Sequence, residues 1–344
     1  MTKDAVHDAL SRIQFGPDVP ALVIKQLPIG YGGQMTGRII GLKLGLALRR
    51  KVIFLNDNDP PYAQSLVRPF SRNEDRRDLT SVPHLDLFEE DNKPIVSFDY
   101  LHAQKLLPKQ FLNPENWIDQ VFGSNFGLSD RRREYVDGWI FDWLKFVPAL
   151  EKRLETDCLR LGVNLQTLGV HLRRGDKSVE SAYVPADDFN EAIHHIYRDW
   201  KFEALFIASD DPAAPSALQA PDGVRIIFDT SEERYNNANH RMLMANPAMV
   251  VEETYVAFKN LRLLAACGGL VGQNNAHFAT IAASFILQRD SRPERVILID
   301  GRVAEKRSLP LRLIHHTKRQ ARAVAKRVLP RRMLRSLTFL VYRR

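Results

Sequence analysis

Ala21-Leu22-Val23-Ile24, the turn Pro28-Ile29-Gly30-Tyr31-Gly32-Gly33, a helical spacing of Ile39, Leu42, Leu46 and Leu48 within 35–50, and Lys51-Val52-Ile53-Phe54-Leu55 follow one another along the chain. A buried strand, a glycine turn, a helix and a second buried strand make a β-α-β unit. Such a crossover needs a parallel sheet, and it predicts a doubly wound α/β domain. The turn would set backbone N–H groups at a helix amino terminus, a ready seat for phosphate or a sugar hydroxyl. It is not the Gly-x-Gly-x-x-Gly dinucleotide fingerprint, and taken alone a glycine turn is more often just a turn.

The carboxyl half repeats the alternation. An apolar strand over 168–172 is followed by a helix over 187–200 and a strand over 204–208. A short helix precedes a strand over 224–228, and a longer helix over 248–267 leads to a strand over 269–272. A helix over 276–287 and a strand over 295–299 close the series. Between the halves, 57–116 is loose, with one clear strand over 94–98, and is expected to form variable loops that meet an acceptor. Asp57-Asn58-Asp59 imitates an Asp-x-Asp metal motif, but these residue types after a strand favour a polar turn. Two helical patterns over 131–165 are divided by Pro148. The expected domains are therefore 1–165 and 166–301, with 302–344 as a tail.

The central strand delivers the densest chemistry in the sequence. Past Leu172 come Arg173, Arg174, Gly175, Asp176, Lys177 and Glu180. Ligands in open α/β sheets bind just beyond the carboxyl ends of strands. Paired guanidinium groups suit a diphosphate, Gly175 permits close approach, and Glu180 is a carboxylate able to take a proton. The competing interpretation is a solvated charge run on a loop.

Composition sets limits. The chain has 344 residues, 44% hydrophobic and 26% charged, as in ordinary soluble proteins, and a length that suits two domains. Two cysteines, Cys158 and Cys267, fit no metal or redox spacing and suit a reducing compartment. The first ten residues are polar, with no secretory pattern, and no apolar run is long enough to span a bilayer, so a cytoplasmic protein is expected. Residues 302–344 carry fourteen Lys/Arg against Glu305 alone, a charge of +13, which leaves the rest of this +8 chain at −5. The tail mixes these cations with Leu311, Ile314, Val328, Leu337 and Phe339. It fits an amphipathic helix on an anionic membrane surface, such as the inner face of the plasma membrane, or a basic tail packed on the body. Nucleic acid is the weaker partner, because aromatic residues are sparse.

Three motifs in order carry a resemblance. His171-Leu172-Arg173-Arg174-Gly175-Asp176-Lys177 resembles the His-x-Arg-Arg-x-Asp-Lys donor motif of the α1,6-fucosyltransferases. Gly30-Tyr31-Gly32-Gly33-Gln34 is similar to that family's Gly-Tyr-Gly-x-Gln loop, and Ala208-Ser209-Asp210-Asp211-Pro212 to its Asp-Asp-Pro. The resemblance spans residues 20–300. It implies a GT-B fold, two Rossmann-like domains facing a cleft, and inverting transfer of fucose from GDP-fucose without a metal or other cofactor. The partners implied are the nucleotide sugar and a glycan or lipid-linked glycan acceptor, in a bacterial protein that lacks a transmembrane stalk.

The resemblance also implies roles. Arg173 and Arg174 would hold the departing diphosphate, and His171 would lie against the nucleotide or serve as a structural histidine. Glu180 would be the general base, one residue closer to Asp176 than in the animal enzymes, with Asp176 in reserve and Lys177 beside it. Asp210 and Asp211 would orient the arginines, cap a turn, or both. Gln273, Asn274 and Asn275 open a helix suited to phosphate or ribose, where the family uses serine-rich residues. The aspartate offered to guanine falls at Asn260, and an amide cannot accept both guanine donors. Glu252 or Glu253 is the alternative. Another nucleotide sugar on the same fold, or a non-catalytic binding module with a basic tail, are the competing functions.

Overall fold

The computed structural model describes residues 2–17, 19, 21–26, 30–56, 67–68, 130–174, 184–234, 242, 245–290 and 292–300. Met1–Gly301 forms one compact unit, and Arg302–Arg344 lies outside the described residues. The expected strand over 94–98, the Asp57-Asn58-Asp59 turn and the tail helix also lie outside the described residues.

Helix α1 (Lys3–Phe15) opens the fold, although its polar first residues gave no sign of it. Thr2 caps it by accepting the Ala5 amide, and Val6, Leu10 and Gln14 share its buried face. Gln14 faces strand β2 (Lys51–Asn56) and bonds one residue twice. Its Nε2 donates to the Val52 carbonyl at 2.6 Å and its Oε1 accepts the Val52 amide at 3.0 Å. Strand β1 (Ala21–Gln26) pairs in parallel with β2 in the register Leu22↔Val52, as the β-α-β pattern requires.

The crossover helix α2 spans Tyr31–Leu48, four residues earlier than its apolar spacing suggested. Gly30 is its N-cap, so Gly32 and Gly33 belong to the first helical turn rather than to a preceding loop. Tyr31, Met35, Ile39, Leu42 and Leu46 are buried along one stripe, which offsets the weak helix propensity of the glycines. Arg49 ends the helix in the left-handed conformation, at φ 53°.

A short antiparallel pair joins β3 (Val67–Arg68) to β4 (Lys145–Phe146). Helix α3 (Asp130–Trp143) precedes β4 and α4 (Pro148–Leu161) follows it. Pro148 stands at the first helical position, where its missing N–H is not needed, and Gly162 (φ 65°) closes α4.

The remaining strands are β5 (Thr167–Leu172), β6 (Ala204–Ser209), β7 (Arg225–Ile227), β8 (Gly269–Gln273) and β9 (Val296–Ile299). They form one five-stranded parallel sheet in the order β7-β6-β5-β8-β9. The chain thus winds outward from β5 in one direction, returns, and winds outward in the other. This is the doubly wound α/β class that the alternation predicted. Its topological switch point lies between β5 and β8.

Pleating sends alternate side chains to opposite faces. Leu168, Val170 and Leu172 join Phe189, Ile193 and Ile196 of α5 (Ala186–Asp199) in one core. On the other face, Phe206 and Leu270 join Phe258, Leu261 and Leu264 of α7 (Pro247–Ala266) and Ile281 and Ile286 of α8 (His277–Asp290). The one-turn α6 (Ala214–Ala217) links β6 to β7. This second core continues without a break into α1, α2 and α3. Where α3 crosses α8, a Cβ on Gly138 would lie 2.5 Å from the Ser284 carbonyl oxygen, so only glycine fits. Both cysteines are free, Cys267 buried and Cys158 half-buried.

Candidate functional site

Three strand ends converge at the switch point. His171 is the penultimate residue of β5 and is buried, 6% exposed. Its ring stacks on Phe278 of α8 at 5.4 Å between centroids and 13° between planes. Burial, and secondarily the Arg173 guanidinium, push its pKa down to about 3, so the imidazole is neutral. Among the described residues its Nδ1 has no hydrogen-bond partner. At the end of β8, Gln273 is 3% exposed, and its Oε1 likewise lacks a partner among the described residues. The two side chains lie on opposite faces of the sheet: Val271 pairs with Val170, so Gln273 shares the face of Val170 and Leu172, while His171 turns to the face of α8.

The adjacent arginines diverge. Arg174 sends its guanidinium to the Val184 carbonyl at 2.7 Å, bracing the chain just ahead of α5. Its backbone amide is accepted by Asp210 Oδ1 at 2.8 Å. Arg173, on the His171 side, lies 3.4 Å from Asp210 Oδ2 with its side chain 31% exposed. The two side chains therefore hold different partners. Asp210 orients both residues, while Asp211 caps the next turn by accepting the Ala213 amide at 2.9 Å. Ser209 ties β6 to β5 by donating to the Leu172 carbonyl at 2.6 Å.

Two helix amino termini meet at the same place. Gly32, in the first turn of α2, packs on the first turn of α8. A Cβ there would fall 2.7 Å from Phe278 Cδ2 and 3.0 Å from His277 Cβ. Thr36 Oγ1 and His277 Nδ1 are 3.0 Å apart and hydrogen-bonded. Gly30 and Gly33 flank this contact, and the backbone N–H of buried Gln34 donates to the Gly30 carbonyl at 3.1 Å, closing the first turn of α2. Asn274 and Asn275 form the turn that enters α8, with the Asn274 amide donated to Ile299 O at 3.0 Å. Each terminus carries about half a positive charge, which adds to that of Arg173.

The structure thus gathers Gly30, Gly32, Gly33, Gln34, His171, Arg173, Arg174, Asp210, Asp211, Gln273, Asn274 and Asn275 around one end of the sheet. Asp176, Lys177 and Glu180 lie outside the described residues. Asn260 is committed elsewhere: its amide donates to both Glu232 oxygens, at 3.1 and 2.9 Å.

That carboxylate belongs to a buried charge network the sequence did not announce. Lys259 Nζ lies 2.7 Å from Glu232 and 2.9 Å from Asp229, with side chains 3%, 5% and 2% exposed. Arg160 adds a 2.6 Å contact to Asp229. Burial would raise the Asp229 pKa, but hydrogen bonds from Arg160, Ser231 and Lys259 outweigh it and hold the group well below the usual range. Glu253, next to this network, is pushed up to about 8 by burial and by the Glu232 charge. Glu252 instead pairs on the surface with Arg153, at 2.5 and 2.7 Å. Among the described residues no cluster of His, Cys, Asp or Glu is set to hold a metal ion, and no helix is long and apolar enough to cross a membrane.

The class so defined is a doubly wound α/β protein with an anion-suited switch point. No family model matches the chain. Among solved structures it is similar to NodZ alpha-1,6-fucosyltransferase soaked with GDP-fucose, at 13% identity and a TM-score of 0.43 over 77% of this chain and 92% of that one. It is also similar to a variant of Arabidopsis thaliana FUT1 in complex with GDP, at 12% identity and a TM-score of 0.46 over 82% of this chain and 72% of that one. A third is POFUT1 in complex with GDP-fucose, at 10% identity and a TM-score of 0.44 over 82% and 98%.

Proposed function

We propose that this chain is a GT-B glycosyltransferase that moves fucose from GDP-fucose to a hydroxyl of a glycan or glycolipid, with inversion and without a metal. The observation that carries this is the setting of Arg173. Its guanidinium leaves the central strand at the switch point, steered by Asp210, two residues past His171, which stacks on Phe278 in the first turn of α8. Together with the three ordered sequence motifs, this supports a seat for a diphosphate.

The chemistry follows from charge. As the bond from the sugar C1 to the diphosphate oxygen breaks, its electron pair passes to the diphosphate. Fixed positive groups already aimed at that oxygen favour the transition state over the ground state. The acceptor hydroxyl attacks C1 from the opposite face and gives its proton to Glu180, with Asp176 in reserve and Lys177 keeping the base charged. Neutral His171 faces the nucleotide without adding charge, and Gln273 offers a carbonyl oxygen to a hydroxyl. Arg174 acts mainly by shaping the loop, since its guanidinium is given to the Val184 carbonyl. The body works in the cytoplasm, and the basic tail rests on an anionic membrane surface near lipid-linked acceptors.

A second donor is favoured by one observation. Asn260 spends its amide on Glu232, so the position matching the guanine-reading aspartate offers no free carboxylate. The same fold would then use a different nucleotide sugar.

Calorimetry of the purified protein against GDP, UDP and ADP tests both. Preferential GDP binding, lost in Arg173→Ala with the fold intact, is expected. UDP or ADP preference would select the second donor. No binding to any of the three would remove the enzyme from consideration in favour of a binding module.

A further inference from the structure

Arg234, in the loop after β7, makes three hydrogen bonds to main-chain carbonyls and stands apart from every motif discussed above. Its Nε donates to the Ser209 carbonyl at 3.2 Å, one Nη to Asp229 O at 2.8 Å and the other to Glu232 O at 3.0 Å. The guanidinium also lies over the Phe228 ring at 4.1 Å and 3.6 Å from a Glu232 carboxylate oxygen, with its side chain 11% exposed. A guanidinium ties carbonyls together with donors held in one rigid plane, which a rotating lysine ammonium does not offer.

The carbonyl that matters is that of Ser209. It ends β6 and directly precedes Asp210, whose two oxygens hold the Arg174 amide and the Arg173 guanidinium. The Ser209 hydroxyl meanwhile donates to the Leu172 carbonyl and accepts the Asp211 amide at 3.1 Å. The turn at 209–211 is therefore held on its β5 side by Ser209 itself and from the β7 side by Arg234. On the far side, Glu232 is anchored by Lys259 and Asn260.

We infer that Arg234 is a positioning residue for the switch-point anion site. It acts through the Ser209–Asp210 peptide, which it fixes so that Asp210 can aim Arg173. The inference rests on the diphosphate seat proposed above. It also gives a purpose to the buried network, which becomes the footing of the loop that carries Arg234.

The test is calorimetry of the full chain with GDP and, separately, inorganic pyrophosphate, on wild type, Arg234→Gln, Arg234→Lys, Asp210→Ala and the Arg234→Gln/Asp210→Ala double variant. Thermal unfolding is recorded alongside. Arg234→Gln and Arg234→Lys are expected to weaken both ligands roughly tenfold, since lysine restores the charge but not the fork. The double variant should bind no more weakly than Asp210→Ala alone, because both changes act on one turn. A residue that merely stabilises the fold would lower the melting temperature and leave the affinities of the folded protein unchanged. That result, or losses that add in the double variant, would overturn the inference while leaving the diphosphate seat standing. Should Arg234→Gln fail to fold, Arg234→Lys carries the same comparison. If the wild-type protein binds neither ligand, the diphosphate seat falls and this inference with it.

Discussion

Asp210 accepts the backbone amide of Arg174 at 2.8 Å through one carboxylate oxygen, and its other oxygen faces the Arg173 guanidinium at 3.4 Å. A single carboxylate thereby sets the path of the main chain as it leaves β5 and the direction of the side chain just before it.

Separating those two tasks gives the first prediction. Asp210→Asn keeps an oxygen for the Arg174 amide and should unfold within about 1 kcal/mol of wild type. Asp210→Ala strands that amide and should cost roughly 1.5–3 kcal/mol, the range for a hydrogen bond to a charged group. Urea unfolding of both variants checks this, and equal stabilities would show that the amide bond is replaced by water.

Lys259 neutralises Asp229 and Glu232 in a place closed to solvent. Lys259→Met is expected to destabilise the protein by about 3 kcal/mol, since two buried carboxylates lose a shared cation and keep only Arg160 and Arg234 as partners. Asp229, held well below the usual carboxylate range, contributes stability that is present above the ordinary carboxylate range and lost as the pH falls below it. Urea unfolding at neutral pH measures the loss, and a cost below about 1 kcal/mol would show that Arg160 and Arg234 balance the two carboxylates by themselves.

Glu253 behaves in the opposite sense. Its pKa stands at about 8, raised by burial and by Glu232. Between the ordinary carboxylate range and pH 8 the unfolded chain loses this proton while the folded chain keeps it. Stability therefore falls as pH rises through that window. Glu253→Gln removes the penalty, so its melting temperature should match wild type near pH 4 and exceed it by several degrees near pH 8. A gain of the same size at both pH values would overturn the assignment.

Two glycines should respond differently to an added methyl group. Gly138→Ala forces a Cβ against the Ser284 main chain and is expected to cost more than about 2 kcal/mol despite better helix propensity. Gly32→Ala meets the edge of the Phe278 ring, which can rotate, so its cost should stay near 1 kcal/mol. Because that ring stacks on His171, weaker nucleotide binding is the expected signature at Gly32 and not at Gly138.

Much of the fold could be read from residue order. The apolar runs at 168–172, 204–208 and 269–272 are too short for helices and too buried for loops, and each became a parallel strand. Strand order was less legible, since nothing local says that β8 returns to the near side of β5. Helix α1 escaped notice because its buried face includes Gln14, a residue whose partner is main chain and thus leaves no complementary letter in the sequence. The same blindness hid Arg234, whose partners are carbonyls. Arg173 and Arg174 were legible as chemistry but not as geometry. Adjacent residues at a strand end face opposite ways, so the pair serves two neighbourhoods.

The amide of Gln14 occupies both polar groups that Val52 turns away from β1. A strand margin with open donors and acceptors recruits other chains, and here a side chain of the same molecule fills that place first. Among the described residues β2 pairs only with β1, so replacing Gln14 would reopen one donor and one acceptor along that margin, and the damage would reach the strand through its backbone.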